Sequence, residues 1–347
     1  MRIIVNDIAA ELGGAMTVLR SFYDYIVEND KTNEYIFLLS GSYLQETNRI
    51  KVIIREDIKK SGLHKLKFDF FTGKSFIQSL NPDYVLSLQN IITFGLKVRQ
   101  GVYVHQSIPF QKEKNFSFFK SSERSTAIIQ KLIGAIIKKS VRKADDVFVQ
   151  TNWMKENVAE KCKVDKNRIS VVPFAQKMQQ SIAPMTQVPN RNFFYPATAE
   201  SIYKNHACIY QAIDILKQKE INDFTVKLTL SKEETQPNID YCGILSKDEL
   251  FQAYANNILL FPSYIETIGL PLLEAKSANA VIFAADCQYA REVLADYPNA
   301  YFFNPFQPNK LADLMEKAIR KEIKLFVQSK SEDTQDGWNV MIDRIVR

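Results

Sequence analysis

Short apolar runs alternate with helical stretches along most of the chain, and this alternation constrains the fold more than any other feature. In the first half, strand-length runs are separated by a stretch of helical spacing, AMTVLRSFYDYIVEND, and by a second one, SERSTAIIQKLIGAIIKKSVRKA. The runs are RIIVND, EYIFLLS, DYVLSLQ, GVYVHQ and DDVFVQT. Strands that are apolar throughout are typical of a parallel sheet covered by helices on both faces. The first half is therefore predicted to be a doubly wound α/β domain.

The same alternation starts again after a polar stretch with two prolines, QKMQQSIAPMTQVPNRN, which we interpret as a linker. At 347 residues the chain is also long for one hydrophobic core. We therefore predict two Rossmann-like domains, residues 1–176 and 177–332, with a C-terminal amphipathic helix at 333–347 packed back on the first. Ligands of open parallel sheets bind beyond the carboxyl ends of the strands. The functional site is expected there, in a cleft that the two sheets face.

Composition argues against several classes of protein. No apolar run reaches the roughly 18–20 residues of a membrane-spanning helix. Asn6 and Asp7 come too early in the chain for the apolar core of a signal peptide. The 4 cysteines form no CxxC pair and the 3 histidines are dispersed, so neither a disulfide framework nor a metal centre is indicated. The chain is expected to be cytoplasmic.

Positive charge is concentrated at residues 111–143, where nine lysines and arginines stand against only Glu113 and Glu123. Phenylalanines are interleaved at the start of this basic segment. A basic and aromatic surface suits the inner face of an anionic cell membrane. A solvated helix face beside ordinary core aromatics explains the same pattern. A nucleic-acid partner is not expected, because no nucleic-acid-binding module accompanies the charge.

The stretch IETIGLPLLEA, at 265–275, places Glu266 and Glu274 on either side of a Gly-Leu-Pro turn. Pro271 suits the first position of a helix, and Gly269 permits a close backbone approach. Three interpretations compete: carboxylates that complement a helix dipole, an acid/base pair, or two ends of a ligand cradle. Unpaired amides at the helix start favour a phosphate-bearing ligand over a neutral glycoside.

The stretch FPSYIETIGLPLLEAKSANAVIFAADCQYAREVL resembles the signature region of retaining GT-B glycosyltransferases of the family 4 type, with Glu266 and Glu274 at the two positions of its E-x7-E motif. Other segments match in the expected order, among them VYVHQSIPF, FFYPATAESIYKNH and AYFFNPFQPNKLADLMEKAI. The resemblance covers most of the chain. It implies the GT-B fold and transfer from a nucleotide-sugar with retention of configuration.

The resemblance also implies a role for each matching residue. Glu274 would bind the ribose hydroxyls of the donor and Glu266 its sugar, while the backbone of Ile268, Gly269 and Leu270 would contact sugar hydroxyls and phosphate. A catalytic role is implied for Glu266 together with His105 and Lys204, of which Lys204 would neutralise the departing diphosphate. Further contacts with the donor are implied for Gly13, Gly14, Gly243 and Leu245. No metal or other cofactor is expected, since lysine and amides replace a cation in this mode.

One departure from the family pattern concerns a cation. An arginine is common about five residues before the lysine that corresponds to Lys204, and this chain has Ala199 there. Lys227 and Lys232 are two candidates to replace it. The predicted function is a retaining transferase that acts on a saccharide or lipid-linked acceptor in bacterial surface polysaccharide biosynthesis. A non-catalytic nucleotide-sugar-binding protein and a nucleotide-sugar epimerase on the same fold remain alternatives.

Overall fold

A computed structural model describes residues 1–11, 13–173, 184–232, 236–326 and 337–347. The chain divides into two compact units. Unit 1 consists of Met1–Gln176 and Thr334–Arg347, and unit 2 of Lys177–Asp333. Residues 176–183 of the predicted linker and residues 333–336 of the predicted C-terminal helix lie outside the described residues.

Unit 1 is built on a seven-stranded sheet in which every pair of neighbours is parallel, in the order β3-β2-β1-β4-β5-β6-β7. Its strands are β1 (Arg2–Asn6), β2 (Glu34–Leu39), β3 (Ile50–Ile54), β4 (Tyr84–Ser87), β5 (Arg99–Val104), β6 (Asp146–Val149) and β7 (Ile169–Val171). The central strands β1, β4, β5 and β6 are almost entirely buried, as their apolar runs predicted. The edge strands β3 and β7 were not among the predicted strands, because both are only partly buried and β7 has only 3 residues.

Helices cover this sheet and connect its strands. They are α1 (Gly14–Asn29), α2 (Glu56–Lys59), α3 (Gly62–Lys67), α4 (Gly73–Ser79), α5 (Arg124–Ile128), α6 (Gly134–Lys143) and α7 (Asn152–Cys162). A π-helical turn at Phe68–Thr72 joins α3 to α4, and a second one at Ile129–Ile133 joins α5 to α6. In α1 the buried residues Val18, Leu19, Phe22 and Ile26 recur at helical spacing and form the face that packs inward.

Unit 2 repeats the design with six parallel strands in the order β10-β9-β8-β11-β12-β13. The strands are β8 (Asn192–Tyr195), β9 (Thr225–Leu228), β10 (Ile239–Tyr241), β11 (Ile258–Phe261), β12 (Ile282–Ala285) and β13 (Ala300–Phe303). The helices are α8 (His206–Gln218), α9 (Lys247–Asn256), α10 (Leu270–Ser277), α11 (Gln288–Val293) and α12 (Pro308–Ile319). The predicted fold class, two Rossmann-like domains with parallel sheets, is confirmed.

Both sheets reverse their strand order once, between β1 and β4 in unit 1 and between β8 and β11 in unit 2. At such a switch point the connections leave on opposite sides, which opens a crevice at the carboxyl ends of the two central strands. The loops that follow β1, β4, β8 and β11 are therefore the ones positioned to hold a ligand.

The last helix, α13 (Trp338–Val346), packs on unit 1. The fully buried Trp338 lies 5.2 Å from the ring of Phe22 and 5.8 Å from that of Tyr103, and its indole nitrogen donates to the Ser21 hydroxyl at 2.9 Å. Arg344 reaches Asp146 at 2.7 Å. None of the helices within the described ranges is both long and apolar enough to cross a membrane.

Candidate functional site

The loop after β8 holds Lys204 at the switch point of the unit 2 sheet. Lys204 ends the short 3-10 turn Ile202–Lys204, and its carbonyl accepts a hydrogen bond from the Tyr195 hydroxyl at 2.8 Å. Asn205 follows in a left-handed conformation with φ of 60°, which asparagine tolerates better than most residues. Its side-chain amide donates to the carbonyl of Pro305 at 2.8 Å. The backbone on both sides of Lys204 is therefore anchored to the core of unit 2.

The loop after β11 holds Glu266 at the other side of the same switch point. The Tyr289 hydroxyl donates to the carbonyl of Ser263, and the amide of Tyr264 donates to the carbonyl of Tyr203 at 3.1 Å. The second of these hydrogen bonds ties the loop after β11 to the loop after β8. Two segments that are about 60 residues apart in the chain are thus held side by side.

Lys204 and Glu266 form an ion pair, with 2.5 Å between Lys204 Nζ and Glu266 Oε1. The Ser263 hydroxyl lies 2.8 Å from the same carboxylate oxygen. Burial acts to lower the pKa of Lys204, but the charge and hydrogen bond of Glu266 outweigh it and raise this pKa above its ordinary value. The side chain of Lys204 is 29% exposed to solvent and that of Glu266 is 17% exposed. An ammonium that is charged at neutral pH is therefore held in place and open to a ligand.

Glu274 lies within α10 and is almost completely buried. Its Oε2 accepts a hydrogen bond of 2.7 Å from the hydroxyl of Tyr254, a buried residue of α9. Burial, followed by the charge of Glu274, raises the pKa of Tyr254 well above its ordinary value, so the hydroxyl keeps its proton. Oε1 has no hydrogen-bond partner among the described residues. One carboxylate oxygen is thus fixed and the other can accept hydroxyl groups of a ligand.

The turn between the two glutamates differs in detail from the sequence expectation. Helix α10 begins at Leu270, so Pro271 occupies its second position and not its first. The amide after Pro271, that of Leu272, is not unpaired: it donates to the carbonyl of Gly269 at 2.8 Å. Earlier in the turn, the amides of Ile268, Gly269 and Leu270 have no acceptor among the described residues. The free donors therefore precede Pro271, at the three positions that the resemblance implies.

Gly269 has φ of 69° and ψ of 70°, a left-handed conformation that favours glycine. A Cβ at this position would lie 3.3 Å from the rings of Phe261 and Tyr289. The backbone conformation therefore strains any other residue at this position, and the two rings leave an added side chain little room. Ile268 is buried and Leu270 half-buried beside it.

The loop after β10 contains Gly243 and Leu245, the predicted contacts with a nucleobase. Gly243 also has a positive φ, 68°, and its amide lies 3.3 Å from the carbonyl of Leu230. Leu245 is half-buried, whereas its neighbour Ile244 is 80% exposed. This loop thus presents backbone and apolar side chains, with no titratable group at these positions.

In unit 1, Gly13 is the N-cap of α1, and Gly14 is the first residue of that helix. Gly13 has φ of 66° and ψ of −147°, a combination accessible essentially only to glycine. A Cβ built at either glycine would meet no atom within 4 Å. The requirement for glycine at position 13 therefore comes from the backbone, and the space beside both residues is open to a ligand.

His105 follows the end of β5 in unit 1 and is half-buried. Its amide and that of Gln106 donate to Asn90 Oδ1 at 2.7 and 2.9 Å. Burial lowers the pKa of His105 to about 4, against an opposing hydrogen bond with the backbone of Leu88. The ring is therefore neutral at physiological pH and does not serve as a permanent positive charge.

The two candidate replacements for the missing arginine occupy different places in unit 2. Lys232 Nζ lies 2.9 Å from Oε1 of Glu200, the residue after Ala199, and 5.5 and 5.4 Å from the rings of Tyr210 and Tyr241. Lys227, in β9, instead has its Nζ 3.8 Å from Asp240. Only Lys232 brings a cation to the segment around Ala199.

Sequence reasoning missed two groups of side chains. Tyr254 lies 20 residues before Glu274 and Ser263 lies 3 residues before Glu266; they position the two glutamates, and neither contact was predicted. At the end of β1, Asn6 and Asp7 are buried; the Asn6 amide has no hydrogen-bond partner among the described residues, and burial raises the pKa of Asp7 to about 7. Two polar residues that end an otherwise apolar strand were the available signal. Across the described ranges, no cluster of three or more His, Cys, Asp or Glu side chains could hold a metal ion.

Comparison with known proteins adds independent findings. Residues 190–333 match the Glycosyl transferases group 1 family. The chain is 24% identical to the O-antigen chain mannosyltransferase RfbU of Salmonella typhimurium over 290 residues, which cover 76% of this chain and 80% of RfbU.

Solved structures share the fold over nearly the whole chain. The lipopolysaccharide outer core galactosyltransferase WaaB matches with a TM-score of 0.63 at 16% identity, over 93% of this chain and 92% of WaaB. Anabaena HepE, solved with UDP and glucose, also matches with a TM-score of 0.63, at 13% identity, over 99% of this chain and 95% of HepE. The two-domain fold is the GT-B fold.

Proposed function

We propose, from the place of residues 190–333 in the Glycosyl transferases group 1 family, that this chain is a retaining glycosyltransferase. It moves a sugar from a nucleotide-diphosphate-sugar to an acceptor hydroxyl. The observation that carries the proposal is the ion pair of Lys204 with Glu266 at the switch point of the unit 2 sheet, 2.5 Å between Nζ and Oε1. A preformed ammonium beside a carboxylate suits a ligand with an anionic diphosphate and a hydroxylated sugar.

The donor is proposed to bind unit 2 along this switch point. Glu274 accepts hydrogen bonds from the ribose through Oε1, while Tyr254 holds Oε2. The free amides at 268–270 and Glu266 take the phosphate and the sugar hydroxyls. The backbone at Gly243 and the half-buried Leu245 contact the base.

Two lysines are proposed to neutralise the departing diphosphate. Lys204 acts directly, and Lys232 supplies the charge that Ala199 cannot. In this scheme no metal ion or other cofactor takes part. A compact ammonium on a flexible stem suits this task, because its charge stabilises the oxygen on which negative charge develops.

In the proposed reaction the bond between the sugar and the diphosphate breaks while the acceptor oxygen attacks from the same face. The acceptor proton passes to the leaving phosphate oxygen, so neither glutamate forms a covalent intermediate. His105 is neutral because its pKa is lowered to about 4, and its one ring N–H is directed to the Leu88 backbone, so its other ring nitrogen accepts a hydrogen bond from a hydroxyl of the sugar. Gly13 and Gly14 admit donor and acceptor close to the backbone of unit 1.

The acceptor is proposed to be a saccharide or lipid-linked glycan of bacterial surface polysaccharide biosynthesis. Similarity to RfbU and WaaB supports this setting, since their names refer to O-antigen and lipopolysaccharide. The chain would work in the cytoplasm, with the basic segment 111–143 in contact with the anionic inner face of the membrane.

The test is a transfer assay on the purified chain with UDP-, GDP- and dTDP-sugars, preceded by a thermal-shift screen to find the donor. A donor at 100 times its Kd stabilises the folded state by about 2.7 kcal/mol. Lys204→Ala should lower kcat by roughly 10²–10³-fold, the effect of losing one preorganised charge donor. Lys219→Ala, which removes an exposed ion pair with Glu316 in the same unit, is the matched control.

Two outcomes would contradict the proposal. A donor that stabilises the protein but is never transferred or hydrolysed would indicate a binding protein without activity. Conversion of the donor sugar with no acceptor present would indicate an epimerase.

A further inference from the structure

A basic surface pocket of about 330 Å³ lies in unit 1 and shares no residue with the proposed donor site. Four cationic side chains line it, together with Pro109: Lys131, Lys138, Arg142 and Lys161. Three of them, Lys131, Lys138 and Arg142, lie on one continuous helical stretch, formed by the π-helical turn at Ile129–Ile133 and helix α6, and Lys161 lies on helix α7. The pocket therefore combines one face of this stretch with a cation that the packing of α7 brings beside it.

The local backbone explains why the pocket forms at this place. The π-helical turn widens the helix just before α6, and such turns are frequent at functional sites. Gly134 then brings the helix against the loop after β5: a Cβ on Gly134 would lie 2.9 Å from Cβ of Pro109. Pro109 is four residues beyond His105. The pocket thus adjoins the loop that leaves the ligand-facing end of β5.

Positive charge in the pocket is not neutralised by carboxylates. Elsewhere in the basic segment, Lys112 pairs with Glu160 at 2.6 Å, and Lys114 and Lys120 share Glu123 at 3.1 and 3.7 Å. None of the four pocket cations has a carboxylate within ion-pair distance among the described residues.

Each pocket cation that has a partner is held by an uncharged group. Lys161 Nζ donates to the carbonyl of Gln111 at 2.6 Å, and Arg142 Nε to that of Cys162 at 3.0 Å. Lys131 Nζ lies 4.9 Å from the centre of the Phe118 ring.

The pKa of Lys161 reflects burial and then repulsion between this lysine and neighbouring cations. Burial and then the charges of Lys138 and Lys112 lower its pKa, and Glu160 opposes them more weakly. Like charges that are gathered without a counterion are stabilised by any anion that enters between them. A tetrahedral phosphate, with several acceptor oxygens, can bond to several cations at once.

Exposed apolar side chains lie close in the chain to the cations of the pocket. The helical stretch that supplies Lys131 also leaves Ile128 at 39%, Leu132 at 60% and Ile133 at 38% exposure, and Phe119 is 95% exposed. A free phosphate in water needs no such neighbours. Basic side chains with exposed apolar and aromatic residues beside them are typical of a surface that rests on anionic lipid.

We infer that the pocket of Lys131, Lys138, Arg142 and Lys161 binds the phosphate group of an anionic lipid, with Phe119 and Leu132 entering the adjacent acyl region. The inference deepens the proposed function, on whose membrane contact it rests, by naming the site and the group that it holds. It does not depend on which sugar is transferred, since the pocket shares no residue with the donor site.

Co-sedimentation with phosphatidylcholine vesicles, with and without phosphatidylglycerol, tests the inference in the absence of any donor. Wild-type protein should bind only the anionic vesicles. Lys138→Ala should weaken binding by about tenfold or more, as the loss of a charge-assisted hydrogen bond does. Lys143→Ala removes the same charge from an exposed position of the same helix outside the pocket, and should weaken binding by about fivefold or less.

Three outcomes would overturn the inference. If Lys138→Ala and Lys143→Ala weakened vesicle binding equally, the basic segment would bind the membrane through its overall charge and not through a phosphate site. Failure of the wild type to bind anionic vesicles would exclude an anionic lipid as the ligand of the pocket. Binding of inorganic phosphate at the pocket, without vesicle binding, would assign the pocket to a soluble phosphate. Sugar transfer to a soluble acceptor, measured in parallel, should be unchanged by Lys138→Ala, so a failure here is separate from a failure of the proposed transferase.

Discussion

Individual side chains in unit 2 owe their orientation to contacts that are invisible in the local sequence. Glu274 illustrates this: one of its carboxylate oxygens is held by Tyr254, which lies on the neighbouring helix α9. Because the acceptor is a carboxylate in a buried setting, the hydroxyl both stabilises the charge and fixes its direction. Under the proposed function, donor affinity should therefore depend on Tyr254, which acts through Glu274.

Tyr254→Phe tests this positioning role by removing a single hydroxyl. The buried carboxylate then loses a charge-assisted hydrogen bond, which should cost about 1.5–3 kcal/mol of unfolding free energy. Donor affinity, measured by calorimetry, should fall as well. Tyr297→Phe is the control, because Tyr297 donates to the carbonyl of Ala280 at 2.6 Å in the same unit. It should lower stability and leave donor affinity unchanged; equal affinity losses in both variants would contradict the role.

Asp7 predicts a pH dependence of stability. Its pKa of about 7 in the folded state exceeds the ordinary value of 3.8 chiefly because the group is buried. The folded state therefore binds a proton that the unfolded state releases near pH 4, and stability falls as pH rises from about 4 to about 7. Asp7→Asn cannot ionise, so it should be more stable than the wild type above this window by up to about 4 kcal/mol.

Urea unfolding of both proteins at about pH 4 and about pH 8 measures this difference. Asp24→Asn, at an exposed position of α1, is the control and should follow the wild-type curve. Parallel curves for Asp7→Asn and the wild type would show that Asp7 is ionised in the folded protein throughout the range.

At the scale of elements, the start of α10 is the most constrained segment of the candidate site. Gly269 combines a left-handed backbone with rings of Phe261 and Tyr289 at 3.3 Å from the position of a Cβ. The orientation of the free amides at 268–270 depends on this left-handed conformation of Gly269. Loss of the conformation should therefore affect both folding and donor binding.

Gly269→Ala should destabilise the protein by about 1–2 kcal/mol from the backbone alone, since that is the cost of a left-handed conformation with a Cβ. Thermal unfolding with and without donor measures both effects. Gly62→Ala is the control, because it lies at the start of α3 with negative φ and nothing within 4 Å of an added Cβ. If Gly269→Ala kept the wild-type midpoint and donor shift, the turn would be far more adaptable than its geometry indicates.

At the scale of the whole molecule, the chain ends in the unit where it begins. Helix α13 belongs to unit 1, and its Trp338 packs against the rings of Phe22 in α1 and Tyr103 in β5. Unit 1 is thus assembled from the two ends of the chain. Its stability should depend on residues that are more than 300 positions apart.

Trp338→Ala should lower the unfolding free energy by about 3–5 kcal/mol, the usual cost of truncating a large buried aromatic side chain. Val340→Ala, on the same helix but 41% exposed, should change it by less than about 0.5 kcal/mol. Denaturant unfolding followed by circular dichroism gives both values. Similar small effects would mean that α13 is not part of the cooperative core of unit 1.

Much of the architecture was predictable because it follows from local patterns. Apolar runs of strand length that alternate with helical stretches indicate parallel sheets, and the two parallel sheets have the predicted central strands. The chemically suggestive residues lie after strands, as expected for this fold class. The strands at the edge of unit 1, β3 and β7, were missed because one partly exposed face weakens the apolar signal.

What the sequence determined by itself is the fold class and the loops in which function is to be sought, since both depend on periodicities over five to ten neighbouring residues. Tertiary structure decided which of those residues meet. It paired Lys204 with Glu266 across 62 positions, aimed Tyr254 at Glu274, placed Lys232 beside Glu200 and gathered four cations around one pocket. Contacts of this kind depend on the order and register of whole strands, which no local pattern encodes.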